Sequence, residues 1–565
     1  MKLLEVKNLN VQFKQANQIV DAVRNVTFDV YAGETLGIVG ESGSGKTVTA
    51  MSILNLLGPT AIREAEFIRF ENKDLHLYTE SEFQSIRLAQ ISIIFQEPMS
   101  SLNPVLTCGY QVIEGYLAHV KVSKKEAKRI VLDLFTRLGL GDVNRIYSSY
   151  PHELSGGQLQ RVLIALALVC KPKLVIADEP TTALDVTVQR MIIELLKDLK
   201  KEFGLTLIFI SHDLGLIKNI CDRVIVMRKG EIVEVDSVNN IFLSASHPYT
   251  KGLIYSRAPM DKKLKRLPTV EDFTERNLSI DSFISDFNTF QNSECDRRIH
   301  ELSAKQPLLE VENLTVAYTK EKTWWGGIKS YFNAVDNISF LQYPGEVIGI
   351  VGESGSGKSS LGKAILGLTP KYSGKLEFKG KDISDLSFHD WRTLRKKMQI
   401  IFQDPYSALN PRLSIGKAIV EPMLVHKLYS TAQECKEKAI ELLEEVGLQA
   451  DHFDRYPHQF SGGQRQRICI ARAIGLQPEF IICDESVSAL DVSVQAQVLN
   501  LFQELKEKFK LSYFFISHDL SVINFIADRI FVMKQGRIIE EGKSYEIIHN
   551  PKEIYTQELV TSIYH

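Results

Sequence analysis

Apolar and polar residues alternate at the start of the chain, MKLLEVKNLNVQF, in the manner of a strand with one buried face. That stretch lacks the apolar core of a signal peptide. Two short unbroken apolar runs, Thr35–Val39 (TLGIV) and Val347–Val351 (VIGIV), read as parallel strands buried on both faces. Each is followed by a glycine-rich loop and then by a run with one apolar stripe. The stripe is Ala50, Ile53, Leu54 and Leu57 in the first case and Leu361, Ile365 and Leu368 in the second, which predicts a helix. Two further apolar runs end in a pair of acids, LVIADEP at Leu174–Pro180 and FIICDES at Phe480–Ser486. They predict buried strands that deliver Asp and then Glu at their C-terminal ends. No apolar run approaches the ~18 residues of a membrane-spanning helix.

These elements occur twice in the same order. LLEVKNLNVQF (Leu3–Phe13) returns as LLEVENLTVAY (Leu308–Tyr318), and GESGSGKT (Gly40–Thr47) as GESGSGKS (Gly352–Ser359). Gln96 and Gln403, Ser155 and Ser461, Asp178 and Asp484, and His212 and His518 follow at a nearly constant offset. The repeat is a whole domain rather than a solenoid unit. The expected organisation is a first module over 1–257, a linker over 258–306, a second module over 307–548 and an accessory tail over 549–565. The linker is mixed in charge, rich in Asp, Glu, Ser and Asn, and aperiodic, so it is expected to hold some local structure and to be partly extended or mobile. Ser246–Ile254 (SHPYTKGLI) has an echo in Pro551–Leu559 (PKEIYTQEL), consistent with a small helix closing each module. The insertion Lys320–Phe332, KEKTWWGGIKSYF, reads equally as a membrane-surface or subunit contact and as a packed hairpin tip.

Composition narrows the classes. The 565 residues carry 67 Lys and Arg against 69 Asp and Glu, a net charge of −2, so no global field favours nucleic acid or an anionic membrane. The seven cysteines are scattered, with no C-x-x-C pair, and predict neither a zinc site nor a disulfide framework.

Both glycine loops fit G-x-x-x-x-G-K-[ST] in the strand–loop–helix context that the pattern requires. Gly40, Gly43 and Gly45, and equally Gly352, Gly355 and Gly357, let the backbone wrap a polyphosphate, with Ser42 and Ser354 in the same loops. Lys46 and Lys358 supply a cation for the β- and γ-phosphates, and the hydroxyls of Thr47 and Ser359 suit Mg²⁺. A serine-rich turn with a chance lysine would look the same once; two copies in the same context decide for the loop. Asp178 and Asp484 suit the outer shell of Mg²⁺, and Glu179 and Glu485 suit polarising an attacking water. Paired acids also cap strands in solvent, and their place beside the loop is what favours chemistry. A third landmark is LSGGQ, with Ser155, Gly156, Gly157 and Gln158, matched by FSGGQ with Ser461, Gly462, Gly463 and Gln464. Each opens a helix-like stretch and forms a second anion site. Taken alone, Gly-Gly would read as a turn. One nucleotide does not need two such sites, so the economical reading is that each serves the nucleotide of the other module.

Loop, LSGGQ, acid-tipped strand and later histidine together resemble the nucleotide-binding domains of ATP-binding-cassette (ABC) proteins, over nearly all of both halves. The resemblance implies an α/β fold with two tandem P-loop NTPase domains, each a RecA-like core with an antiparallel β subdomain and a helical subdomain. It implies ATP and Mg²⁺ as cofactors and cassettes that close head to tail, each ATP lying between one module's loop and the other's signature. It assigns Gln96 and Gln403 to the hinge that senses Mg²⁺ and faces a membrane partner, so the residues about the metal would be Thr47, Gln96 and Asp178, and Ser359, Gln403 and Asp484. It assigns His212 and His518 to the γ-phosphate, Asp185 and Asp491 to loops coupling the two sites, and Phe13 and Tyr318 to stacking on adenine. A histidine after a strand, a glutamine in a turn or an aromatic in a strand is each ordinarily structural; recurrence in both modules favours the functional reading. Both sites look complete, and both are expected to hydrolyse ATP.

Within that family, GESGSGK, FQEP–MSSLNP, FQDP–YSALNP, ALDVTVQ, ALDVSVQ and HPYT resemble the ATPases of peptide and nickel importers. That implies two integral-membrane permease subunits, an extracytoplasmic substrate-binding protein, a peripheral place on the cytoplasmic face of the plasma membrane, no nucleic acid, and a di- or oligopeptide or related small solute. Only Cys295 follows the first module where some relatives carry a cysteine cluster, so no iron–sulfur cluster is expected. The alternative is a soluble tandem-cassette ATPase acting on ribosomes, a class that usually carries a long charged helical linker and a different loop after the catalytic Glu. DNA-repair cassettes would need zinc-binding Cys pairs.

Overall fold

A computed structural model describes every residue except 16–17, 182–185, 277–282, 284–287, 323–327 and 565. The chain divides into two units, Met1–Ile254 with Phe273–Asn277, and Tyr255–Asp272 with Leu278–His565.

In the first unit the apolar runs without alternation become the middle of a six-stranded sheet. Its order is Ile91–Ile94, Leu174–Asp178, Thr206–Ser211, Thr35–Val39, Arg223–Arg228 and Glu231–Ser237. The first five are parallel, and the last is antiparallel at the edge. Thr35–Val39 and Leu174–Asp178 are buried at every position, as runs without polar alternation require. The second unit repeats the order with Met398–Ile401, Phe480–Asp484, Ser512–Ile516, Val347–Val351, Arg529–Lys534 and Arg537–Lys543. In both, the loop and the acid pair leave the C-terminal ends of strands separated by one neighbour, where an open parallel sheet presents its binding crevice.

The alternating N-terminus forms the long strand Lys2–Gln15 of a second, antiparallel sheet, paired with Gln18–Tyr31, Phe67–Phe70 and Ala61–Glu64. Its inward Leu4, Val6, Leu9 and Val11 pack in one core with Ala50, Ile53 and Leu54 of the helix after the glycine loop. Leu309–Lys322, Ile328–Gln342 and Ser373–Phe378 do the same in the second unit. Between the glutamine and the acid strand lie helices, among them Lys124–Arg137 and Gly156–Leu168, and in the second unit Ala432–Glu445 and Gly462–Ile474. Parallel core, antiparallel sheet and helical insertion are the three parts expected of each module.

Two local expectations change, and a third falls partly outside the described residues. The helices after the loops stop at Ile53 and Ile365, because Asn55 and Gly367 take left-handed φ of 53° and 60° just past the caps, leaving Leu57 and Leu368 outside the helices. The ends of the insertion continue the two strands of a hairpin, with Tyr318 opposite Phe332 and Lys322 opposite Ile328, while 323–327 lie outside the described residues. The largest change concerns 258–306, expected as a partly mobile linker. Most of its described residues cluster with the second unit, where Met260, Leu264 and Leu267 enter the core. Asn500 donates to Leu267 O at 2.9 Å and accepts from Leu267 N at 2.8 Å, and Arg298 Nε donates to Asp528 at 2.8 Å. Periodicity cannot reveal such a segment: its apolar residues are buried from an irregular backbone and from short helices, among the described residues Val270–Thr274 and Asn292–Ser303.

Candidate functional site

Each glycine loop is fastened where side chains do not fit. A Cβ on Gly40 would lie 2.2 Å from Met227 O, and one on Gly45, at φ 98°, would lie 2.6 Å from Ala22 O. Gly352 and Gly357 meet Met533 O and Ala334 O in the same way, at 2.1 and 2.0 Å. Gly43 and Gly355 have open space but sit at φ 80° and 79°, where glycine costs least. Ser42 and Ser354 are exposed on the same turns. Lys46 Nζ donates to Gly40 O at 2.7 Å and Glu41 O at 3.0 Å, and Lys358 to Gly352 O at 2.7 Å and Glu353 O at 2.8 Å. Both ammonium groups thus lie folded against the loop's own carbonyls, which a phosphate would replace as acceptor.

The acid strand meets the loop at its hydroxyl. Thr47 Oγ1 donates to Asp178 Oδ1 at 3.0 Å, and Ser359 Oγ to Asp484 Oδ1 at 2.6 Å. Burial pushes the Asp178 carboxyl up to about 6, against the Thr47 hydrogen bond and with help from the Glu179 charge. Burial likewise raises Asp484, against its bond from Ser359. A buried carboxyl of raised pKa beside a lysine and a hydroxyl is short of positive charge, which suits a divalent cation. Mg²⁺ takes hard oxygen donors, usually one or two from protein and the rest from phosphate and water. The hydroxyl–carboxylate pairs fit it, and among the described residues no closed cage of three or more His, Cys, Asp or Glu exists to hold a metal without the nucleotide. Ser44 Oγ, buried inside the first loop, meets no protein partner, so the loop keeps a polar group for its ligand.

Glu179 and Glu485 follow the strands in left-handed backbone, φ 46° and 48°, with their N–H groups donating to Ile210 O and Ile516 O at 3.0 Å. Non-glycine residues seldom adopt that region, and such strain concentrates at functional sites. Glu179 Oε2 accepts from Gln96 Nε2 at 3.0 Å and from His212 Nδ1 at 3.0 Å. The second copy is looser on one side: Gln403 Nε2 donates to Glu485 Oε2 at 2.7 Å, while His518 Nδ1 stands 3.6 Å away. Burial disfavours the charged forms of Glu485 and His518, yet each one's attraction for the other outweighs it, holding Glu485 below and His518 above their ordinary values. A carboxylate oriented by an amide and an imidazole is equipped to take a proton from water. Gln96, Glu179 and His212 are therefore brought together with Lys46, Thr47 and Asp178, as are their counterparts.

The signatures form the N-termini of helices Gly156–Leu168 and Gly462–Ile474. Ser155 Oγ accepts from Gln158 N while Gln158 Oε1 accepts from Ser155 N; Ser461 and Gln464 form the same reciprocal cap. Gly157 and Gly463 leave no room for a side chain, since a Cβ would lie 2.8 Å from Val188 Cγ1 and 2.2 Å from Val494 Cγ1. Ser155, Gly156, Ser461 and Gly462 are exposed, so both helix ends are open to an anion.

Tyr318 is 41% exposed, with its hydroxyl 3.3 Å from Ser360 Oγ beside the second loop. Phe13 is half-buried and leans on the core of its antiparallel sheet. Asp491 is the N-cap residue of helix Val492–Phe509, and Asp185 lies outside the described residues. Two tyrosines escaped the sequence reading. Tyr249 Oη accepts from Glu41 N at 3.2 Å, and Tyr555 Oη from Glu353 N at 2.9 Å. The sequence signal is the Tyr-Thr-x-x-Leu pattern shared by the two closing segments, Tyr249–Leu253 and Tyr555–Leu559.

A model of the ABC transporter family matches residues 23–182 and 335–488, and one of the oligopeptide/dipeptide transporter C-terminal region matches 233–281. The glutathione import ATP-binding protein GsiA of Pectobacterium atrosepticum is 41% identical over 568 residues, covering 100% of this chain and 89% of the relative. GsiA of Escherichia coli O157:H7 is 42% identical over 572 residues, covering 99% and 89%. Among solved structures, the dimeric ATP-binding cassette MJ0796 in a post-hydrolysis state with ADP and Pi aligns with 42% of this chain and 98% of its own, at 31% identity and a TM-score of 0.38.

Proposed function

This chain belongs to the ABC transporter family as an ATP-hydrolysing protein with two fused cassettes, and from that premise we propose that it powers the import of a peptide-like small solute. Two observations support the solute class: the match of 233–281 to the oligopeptide/dipeptide transporter C-terminal region, and full-length relatives named for glutathione import. A ribosome-directed ATPase leaves the first of these without an explanation. The partners are then two integral-membrane permeases and an extracytoplasmic substrate-binding protein. As the ATP-hydrolysing part of such an importer, the chain would work from the cytoplasmic face of the membrane; no described helix is long and apolar enough to cross one.

In each cassette Lys46 or Lys358 leaves its loop carbonyls for the β- and γ-phosphates, which the loop's N–H groups and helix N-terminus also hold. Thr47 with Asp178, and Ser359 with Asp484, would hold Mg²⁺, which when bound would supply positive charge to the transferring phosphoryl group. Glu179 and Glu485 take the proton of the attacking water, oriented by Gln96 and His212 or by Gln403 and His518. The exposed Ser155 and Ser461 helix ends complete the pocket of the opposite cassette when the two close head to tail. The observation that carries this reading is the glutamate held by glutamine and paired with histidine beside a hydroxyl–aspartate pair, present twice. A disulfide-trapping experiment tests the closure. In a cysteine-free background carrying Glu179→Gln and Glu485→Gln, Ser42→Cys and Gly462→Cys should crosslink with MgATP and not with MgADP. Crosslinking independent of nucleotide, or absent with both, refutes head-to-tail closure.

A further inference from the structure

We propose that Tyr249 and Tyr555, in the segments that close the two cassettes, are positioning residues that set the affinity of each phosphate loop for nucleotide; this deepens the nucleotide-site reading above and rests on it. Each hydroxyl accepts the backbone N–H of the loop's second residue, Glu41 at 3.2 Å or Glu353 at 2.9 Å. The Tyr249 hydroxyl also bonds to the Glu41 side chain, whose charge together with burial raises the phenol far above its ordinary value. The tyrosine therefore stays a neutral hydroxyl that can accept and donate at once.

Both rings are fixed by the same means. Tyr249 and Tyr555 are buried, with Arg228 4.9 Å and Lys534 4.3 Å from the ring centroids. Those two cations sit next to Met227 and Met533, whose carbonyls abut Gly40 and Gly352. A carboxylate anchors each closing segment to the sheet edge: Glu234 accepts from Ser246 N at 2.7 Å and His247 N at 3.2 Å, and Glu540 from Lys552 N at 2.8 Å and Glu553 N at 3.1 Å. The segments share Tyr-Thr-x-x-Leu and differ around it, and both deliver a hydroxyl to the same backbone N–H. Packing alone would preserve a ring at these positions and has no need of the hydroxyl. Glycine has the most backbone freedom to lose, and this bond adds to the contacts that fix the loop's entry before nucleotide arrives, which favours tight anion binding.

The test uses the full-length protein and a fluorescent ATP analogue with Mg²⁺, comparing Tyr249→Phe, Tyr555→Phe and the pair. Phenylalanine keeps the ring and removes the hydroxyl that accepts from the half-buried Glu41 or Glu353 N–H. Each single variant should weaken one of the two sites about tenfold and leave the other alone, and the pair should weaken both. In steady-state hydrolysis the change should fall on KM for ATP, with kcat within about twofold. Leu253→Ala, which thins the same helix without touching the hydroxyl, should lower the melting temperature and leave affinity unchanged. The inference is overturned if the phenylalanine variants bind as the wild type does, or if Leu253→Ala weakens affinity equally. Lys46→Ala and Lys358→Ala separate the two levels. Should they leave binding intact, the nucleotide-site reading itself is wrong; should they abolish it while the phenylalanine variants bind normally, only the role of the tyrosines is.

Discussion

Asp222 and Asp528 occupy the same place in the two cassettes, and their surroundings differ. Each takes the N–H of the first residue of the strand that enters the phosphate loop, Thr35 at 2.7 Å and Val347 at 2.9 Å. Asp222 is otherwise paired with Lys200, and its side chain is 57% exposed. Asp528 is 9% exposed, bridged by Arg298, with the Lys263 ammonium bonded to the neighbouring Ala527 carbonyl. Burial disfavours its charge, but Lys506, Arg298 and Lys263 together hold it below the ordinary carboxylate range. The chemistry at the front of the two cassettes has been kept, while the second has absorbed the connecting segment at its back. The two fronts thus carry matching residues while the two backs differ, so changes at the front should act alike in both cassettes and changes at the back should not.

Glu179→Gln and Glu485→Gln give the largest expected effect. Each should lower steady-state ATP turnover by on the order of a hundredfold or more, because the proposed role of both is that of a carboxylate base, which contributes about that much. Wild-type turnover in either variant would mean that the cassettes differ at the front as well.

The back is where the sequence was hardest to read. The phosphate loops, the acid-tipped strands and LSGGQ were legible because each is a local pattern whose chemistry needs fixed spacing, and the order of elements between them determined the sheet. Asn500 carries no such signal. It sits on a helical stripe in which its counterpart Glu194 simply pairs with Arg190 at 3.1 Å, and only the folded chain brings Leu267 to it. The left-handed φ of Glu179 and the reach of Tyr249 to Glu41 are equally invisible, since they depend on neighbours far away in sequence. Asn500→Ala should therefore destabilise the second cassette by about 1–3 kcal/mol, the cost of leaving the buried Leu267 N–H and C=O unpaired. Glu194→Ala, on the exposed face of the first, should stay within about 0.5 kcal/mol. Domain-resolved urea unfolding measures both, and equal losses would erase the distinction between the two backs.

A smaller difference lies between the histidines. His518 is held above its ordinary pKa because Glu485 outweighs burial. A base raised in the folded state contributes stability that is complete below its unfolded value, about 6.5, and is lost as pH rises through the folded one. The His518–Glu485 attraction should thus support the nucleotide-free second cassette in mild acid and fade above neutrality. Titration by NMR should place the His518 midpoint above 6.5, and Glu485→Gln should bring it down. A midpoint that does not respond to Glu485→Gln would remove the ion pair from the account.

The smallest effect concerns the one residue at which the two phosphate loops differ, Thr47 against Ser359. Threonine's branched Cβ restricts its rotamer, and its hydroxyl lies 3.0 Å from Asp178. Serine turns more freely and closes to 2.6 Å on Asp484. Both hydroxyls nevertheless start one residue after the loop lysine, on a helix that begins in the same turn, and both reach a carboxylate oxygen of the strand aspartate. Geometry is therefore set by the helix and the strand, and the methyl group adds only rigidity. Exchanging the two, Thr47→Ser with Ser359→Thr, should change KM for MgATP by no more than about twofold, whereas Thr47→Ala removes the hydroxyl and should raise it far more. A tenfold shift from the exchange alone would show that each loop is fitted to its own cassette, and the fronts would then have diverged as the backs have.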